Sequence, residues 1–141
     1  KINPEGTVQK KKDLFEIWRS HKPPYLATIS PSHPVDLSNK FEKASLYKGP
    51  KLFIAFSPCP PGWSFGTSKS VNIAKLAVQT GLLPLKEAVH GKVEHTIVPK
   101  FRPVEEYLKT QERYAHLFEP TTQVDIINTI QKDIDDYWKR Y

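Results

Sequence analysis

One cysteine stands in the chain, Cys59, within Ser57-Pro58-Cys59-Pro60-Pro61-Gly62-Trp63. Prolines on both sides leave its backbone little freedom before any ligand arrives. Three chemistries suit such a thiol: a metal ligand as the thiolate, a nucleophile, or a small buried filler. A nucleophile needs a neighbouring base. His33, in Ser30-Pro31-Ser32-His33-Pro34, is the best-placed one, although no local signature of a thiol enzyme surrounds Cys59. A metal ligand needs company, because one cysteine holds neither a zinc ion nor an iron–sulfur cluster. The remaining ligands would be histidines or residues outside this chain. His21, His90, His95 and His116 are scattered and read as exposed or structural. Lys69 and Ser70 open a helix near the cysteine segment, where backbone N–H groups favour an anion without specifying one. A glycine-rich phosphate loop, an HExxH pair and an aspartate–asparagine motif for a metal-bound diphosphate are all absent from the sequence.

The elements that must position these residues follow from hydrophobic period. Asp13 to His21 reads as a helix with Leu14, Ile17 and Trp18 on its apolar face and Phe15 beside them, ended by Pro23-Pro24. Tyr25–Ile29 reads as a strand, Val35–Ser45 as a helix faced by Leu37, Phe41 and Ala44, and Leu52–Phe56 as a second strand, apolar enough to be covered on both faces. Strand, helix and strand make a βαβ unit with parallel strands and a right-handed crossover. The Ser30–Pro34 and Ser57–Trp63 loops then leave one edge of the sheet, where ligands of open α/β sheets collect.

Further along, Thr67 or Ser68 is expected to cap a helix bearing Val71, Ile73, Ala74, Ala77 and Val78, closed by Gly81. Residues 82–89 read as extended and His90-Gly91-Lys92-Val93 as a turn, after which His95-Thr96-Ile97-Val98 pairs back as a hairpin. Pro103 starts a helix faced by Val104, Tyr107, Leu108 and Ala115. Ile127, Ile130, Ile134, Tyr137, Trp138 and Tyr141 stripe a final helix, as core or subunit contact. Asn3-Pro4-Glu5-Gly6 marks residues 1–9 as a loop.

The 141 residues suit one domain, and 38% hydrophobic with 26% charged residues is a globular composition. No apolar run reaches a membrane span, and no signal-peptide pattern opens the chain. A single cysteine excludes a disulfide framework and suits a reducing, cytoplasmic setting. The chain carries a charge of +6, partly in Lys10-Lys11-Lys12 and Lys139-Arg140, and starts at Lys1 without any Met, as a fragment, a processed chain or part of a longer subunit would. Its lysines are not interleaved with aromatics in a nucleic-acid motif.

The residues from Pro24 to Leu117 resemble the C-terminal half of the beta subunit of pyruvate:ferredoxin oxidoreductase and other 2-oxoacid:ferredoxin oxidoreductases. The resemblance is carried by Pro24-Tyr25-Leu26-Ala27-Thr28, by Gly49-Pro50-Lys51 and by the Cys59 segment. It continues through Leu76-Ala77-Val78-Gln79-Thr80-Gly81-Leu82-Leu83-Pro84-Leu85 and Pro103-Val104-Glu105-Glu106-Tyr107-Leu108-Lys109. It implies an α/β fold, a parallel βαβ core of a thiamine-diphosphate-binding-type domain with C-terminal helices. Residues 1–100 would be the C-terminal part of the thiamine-diphosphate and iron–sulfur domain, and residues 101–141 a helical extension packing on it or on a partner subunit. Cys59 would be the fourth ligand of a [4Fe-4S] cluster whose other cysteines lie earlier in the subunit. The family's thiamine diphosphate and Mg²⁺ motif has no match here, so the chain alone is expected to bind neither cofactor and to be inactive. The implied reaction is oxidative decarboxylation of a 2-oxoacid, pyruvate first among them, with electrons passing to ferredoxin and the acyl group to coenzyme A. The implied partners are the upstream half of the beta subunit and subunits of alpha, gamma and delta type, in the cytoplasm of an organism with anaerobic metabolism. Two other readings of the residues stay open: a noncatalytic interaction module, and a Cys59-dependent transferase or hydrolase.

Overall fold

The computed structural model describes residues 12–141. The turn at Asn3–Gly6 and the lysines Lys10 and Lys11 lie outside the described residues.

Four strands form one sheet in the order β2-β1-β3-β4. β1 (Tyr25–Ile29) and β2 (Lys51–Ala55) run parallel, in register from Tyr25↔Lys51 to Ile29↔Ala55. β3 (Leu85–Val89) lies antiparallel to β1, and β4 (Lys92–Ile97) antiparallel to β3. The fold is therefore mixed α/β around one βαβ unit, and the expected hairpin closes more tightly than its four-residue turn, at His90-Gly91, both with positive φ, so that Lys92 and Val93 already belong to β4.

α1 (Leu14–Ser20) starts where Asp13 Oδ1 accepts the Glu16 N–H at 3.1 Å. Its apolar face differs from the expected one. Leu14, Ile17 and Trp18 are 42–49% exposed, and Phe15 alone is buried, against Leu26 and Ala88. So short a helix contacts the sheet along a narrow line, and Phe15 falls on it. α2 (Pro34–Ser45) crosses from β1 to β2 and packs Ala44 and Leu37 on the other face of β1. β2 also differs from expectation: it is an edge strand whose residues are half-exposed or exposed throughout, not covered on both faces.

After the cysteine segment a single 3-10 turn, Thr67–Lys69, leads into α4 (Ser70–Gln79), a one-turn helix α3 (Pro60–Trp63) having come before. Lys69, rather than Thr67 or Ser68, sits at the N-cap of α4, without a side-chain cap. α5 (Val104–Leu108) stops short of Ala115, which is exposed in a separate 3-10 segment, Glu112–Leu117. α6 (Val124–Trp138) carries the expected stripe as far as Trp138, with Ile127 and Ile134 buried, while Tyr141 lies past the helix end and is exposed. Ile73 and Ala77 of α4 share one core with Val104, Tyr107, Leu108, Leu117, Ile127 and Ile134.

Polar groups bind these layers together. Glu87, 5% exposed, accepts the Tyr25 hydroxyl at 2.5 Å and pairs with Lys43 of α2. Burial first, then the Glu87 hydrogen bond, pushes the Tyr25 hydroxyl far above its ordinary pKa, so it stays protonated and donates. Lys40, 1% exposed, donates to the Thr28 carbonyl at 2.8 Å and to Asp36 at 2.6 Å. Replacing Glu87 by Ala strands a buried hydroxyl and should cost about 2–4 kcal/mol in chemical denaturation, whereas Tyr25→Phe leaves Glu87 paired with Lys43 and should cost about 1 kcal/mol.

α6 docks on the hairpin through His95. Its Nε2 lies 2.8 Å from the Tyr137 hydroxyl, and its ring sits 4.7 Å from Trp138 and 4.6 Å from Tyr141. Burial, and then the field of Lys86, lower its pKa. A histidine that is harder to protonate folded than unfolded takes up protons on unfolding, so stability rises with pH across the interval between the two values. It is fully present above the ordinary histidine value of about 6.5 and is lost as pH falls below it. Thermal midpoints scanned against pH should therefore drop on the acid side, and His95→Gln should flatten part of that limb.

Candidate functional site

Because β1 and β2 are parallel, their C-terminal ends meet at one edge. The backbone extends this pairing by one step, the Phe56 N–H donating to the Ile29 carbonyl at 2.9 Å. The chain then turns out: Pro58 is buried, and Cys59 follows it exposed, with a free thiol. The sequence left open whether this cysteine is a buried filler; no described residue buries it.

Cys59 occupies the N-cap position of α3 in an extended conformation, φ −105° and ψ 101°. Proline is favoured at the first helical position because its missing N–H would have no partner there. Pro60 and Pro61 thus start a turn that Gly62 and Trp63 complete. The Trp63 N–H closes it on the Cys59 carbonyl at 2.9 Å, and Ser64 ends it with a left-handed φ of 53°. Gly62 has a steric role: a Cβ there would come within 3.3 Å of the Cys59 sulfur. The glycine leaves open the space beside Sγ.

Trp63 anchors the turn. Its ring lies against Phe56 and Phe65, and the Arg113 guanidinium covers it at 3.8 Å from the centroid. Arg113 is itself held, donating through Nε to Gln111 Oε1 at 2.8 Å and through Nη2 to the Tyr107 hydroxyl at 3.2 Å. The Glu112 N–H donates to the Ser64 carbonyl at 3.3 Å. The stretch that presents the thiol is thus clamped to a segment about fifty residues further on. Nothing in residue type or spacing singles out Arg113, because cation and ring meet only in three dimensions.

The other predicted residues fall as follows. His33 leaves the same sheet edge, but its Nδ1 is 2.9 Å from Ser32 Oγ, which is 2.9 Å from Ser30 Oγ. Burial chiefly lowers its pKa. Among the described residues no hydrogen bond joins His33 to Cys59, so the base of the thiol-enzyme reading is not in place. Ser70 donates its hydroxyl to the Thr67 carbonyl at 2.7 Å, and Lys69 is exposed. His21, His90 and His116 are exposed. Among the described residues no group of three or more His, Cys, Asp and Glu side chains is placed to hold a metal ion. No described helix is long and apolar enough to cross a membrane.

The fold and this edge define an α/β unit that holds one thiol outward at the start of a short helical turn. No family model matches the chain. Individual proteins do. The chain is 40% identical over 136 residues to pyruvate synthase subunit PorB of Thermotoga maritima, a match covering 96% of this chain and 42% of that protein. Against PorB of Methanocaldococcus jannaschii the identity is 42% over 135 residues, 95% of this chain and 44% of that protein. Against ketoisovalerate oxidoreductase subunit VorB of Pyrococcus furiosus it is 41% over 133 residues, 92% and 41%. The chain is thus similar along nearly all of its own length to subunits of 2-oxoacid oxidoreductases, and it spans about two-fifths of the length of these relatives.

A cation stacked on an indole contributes about 0.5–2 kcal/mol. Arg113→Ala should lower stability by that order and loosen the turn, seen as faster alkylation of Cys59 by iodoacetamide. Arg113→Lys should recover only part of either effect, since an ammonium lacks the planar stack.

Proposed function

We propose that this chain is part of a subunit of a 2-oxoacid:ferredoxin oxidoreductase, and that Cys59 is one ligand of a [4Fe-4S] cluster whose other ligands lie outside residues 1–141. The observation that carries this reading is the exposed, pre-ordered thiol of Cys59 in a chain about 40% identical to pyruvate synthase and ketoisovalerate oxidoreductase subunits. The donor fits the group. A thiolate is the usual ligand of such clusters, and a ligand fixed before binding loses little freedom when it binds. Gly62 keeps the space beside the sulfur clear. Trp63, held by Arg113, would exclude water from one side of the group, and burial of that kind helps to set a cluster's potential.

When bound in the complete enzyme, thiamine diphosphate with Mg²⁺ would supply an electron sink at the 2-oxo carbon, and iron–sulfur clusters a path for single electrons. Oxidative decarboxylation of pyruvate releases CO₂ and two electrons, which ferredoxin accepts, while the acyl group passes to coenzyme A. Residues 1–141 contribute a cluster ligand and its setting to this scheme. Cys59 itself has no acid–base role in it. The upstream half of the subunit and subunits of alpha, gamma and delta type complete the assembly, in the cytoplasm. Pyruvate is the substrate we propose within the class. Identities of 40–42% to PorB proteins and 39–41% to VorB proteins overlap, so a branched 2-oxoacid is the second reading.

Cys59→Ala in the assembled enzyme should remove iron equivalent to one [4Fe-4S] cluster per copy of the chain and abolish its electron paramagnetic resonance signal on reduction. Gly62→Ala should give an intermediate loss. Full iron content and a normal spectrum in Cys59→Ala would sink the assignment.

A further inference from the structure

Arg113 is half-buried, and every group that holds it is neutral. Its guanidinium lies 3.8 Å from the ring centre of Trp63 and 4.6 Å from that of Tyr114. It donates to the Gln111 side-chain carbonyl and to the Tyr107 hydroxyl, two residues that are themselves only 2% and 1% exposed. Among the described residues no carboxylate pairs with it. The adjoining Glu112 is exposed and also forms no ion pair there, whereas Lys109, four residues earlier, pairs with Glu105 at 2.6 Å. A charge drawn partly out of water without a counter-ion is costly, and a guanidinium cannot escape the cost by losing its proton.

The cation is fixed against one feature, the turn that Cys59 begins. The Trp63 ring lies beneath the guanidinium, and the Trp63 N–H donates to the Cys59 carbonyl. One step further on, the Ser64 carbonyl accepts the Glu112 N–H. The side chain of Arg113 and the thiol of Cys59 are therefore carried by two segments bonded to each other. The chain supplies the cation and no anion. The group proposed to bind Cys59 supplies one.

We propose that Arg113 is the counter-charge of the iron–sulfur cluster, a positioning residue that sets the cluster's reduction potential by its charge as well as holding Trp63 by its plane. The proposal rests on the reading of Cys59 as a cluster ligand. A [4Fe-4S] cluster on thiolates is anionic and gains a further negative charge on reduction, and its net charge and surroundings set its potential. A fixed cation nearby favours the reduced form, and among aromatic side chains its field is screened less than in water. Arg113 makes and breaks no bond. It governs how readily the cluster keeps an electron.

Redox titration of the assembled enzyme, followed by electron paramagnetic resonance of the reduced cluster, tests this. Arg113→Met keeps an unbranched apolar side chain and drops the charge. It should make the cluster about tenfold harder to reduce, a midpoint about 59 mV more negative. Arg113→Lys keeps the charge and loses the planar stack, and should hold the potential near that of the parent enzyme. Iron content separates this inference from the reading beneath it. A parent enzyme that carries no cluster on Cys59 overturns both. Equal iron and equal potential in the parent and Arg113→Met overturn the inference alone. Equal falls in Arg113→Met and Arg113→Lys also overturn it, because the stack and not the charge would then set the potential. If Arg113→Met does not assemble, Arg113→Gln makes the same comparison.

Discussion

Every side chain of β1 is buried, and a strand so placed leaves no polar group room to find water. That constraint organises the molecule. Its neighbours in the sheet satisfy the backbone, but the Tyr25 hydroxyl and the carbonyl at the C-terminal end of the strand need partners from elsewhere. Glu87 and Lys40 provide them, each buried, each with a second bond that keeps its own charge compensated. Thr28 completes the set: its hydroxyl donates to the Pro84 carbonyl at 2.7 Å and accepts the Lys86 N–H at 2.9 Å. The loop before β3 is thereby held at the same sheet edge from which the Cys59 segment departs. A fully satisfied buried network of this kind rigidifies its surroundings, whereas the loss of one member leaves the others exposed to the full desolvation cost.

Much of this was legible in the residues. The βαβ unit, its parallel strands, the hairpin at His90-Gly91 and the final helix all carry strong local patterns, and the structure contains each of them. The departures share a cause. Periodicity states that a residue is apolar and on one face; it does not state how much neighbour is available to cover that face. Leu14, Ile17 and Trp18 were the expected contacts of α1, but seven residues can bury only what lies directly beneath them, and that is Phe15. Leu52–Phe56 reads as an interior strand, yet the described residues give it a neighbour on one side only.

At the cysteine the sequence was more informative about stiffness than about shape. Two prolines after Cys59 marked a restrained loop, and they in fact begin a helical turn, which is the position proline tolerates best. Arg113 was invisible for a different reason. Its importance comes from the ring that it covers, and contacts across such a separation leave no periodic trace. Lys86 shows the converse. In the sequence it is an ordinary charged residue in a strand, and only its depth beneath Phe15 and Tyr137 distinguishes it.

Gly81 closes α4 with a φ of +75°, and its neighbours leave no space for a side chain: a Cβ would lie 2.7 Å from the Trp138 indole nitrogen and 2.9 Å from Phe101. That same indole donates to the Gly81 carbonyl at 2.9 Å. The last turn of the last helix is therefore indexed against a bend in the middle of the chain, like a bolt against its stop. A slip of α6 by one residue, about 1.5 Å along its axis, would either break this bond or drive the ring into main-chain atoms. The C-terminal helix has one seating, and the molecule's two ends of folding, local turn and distant tail, are gauged by a single missing methyl group.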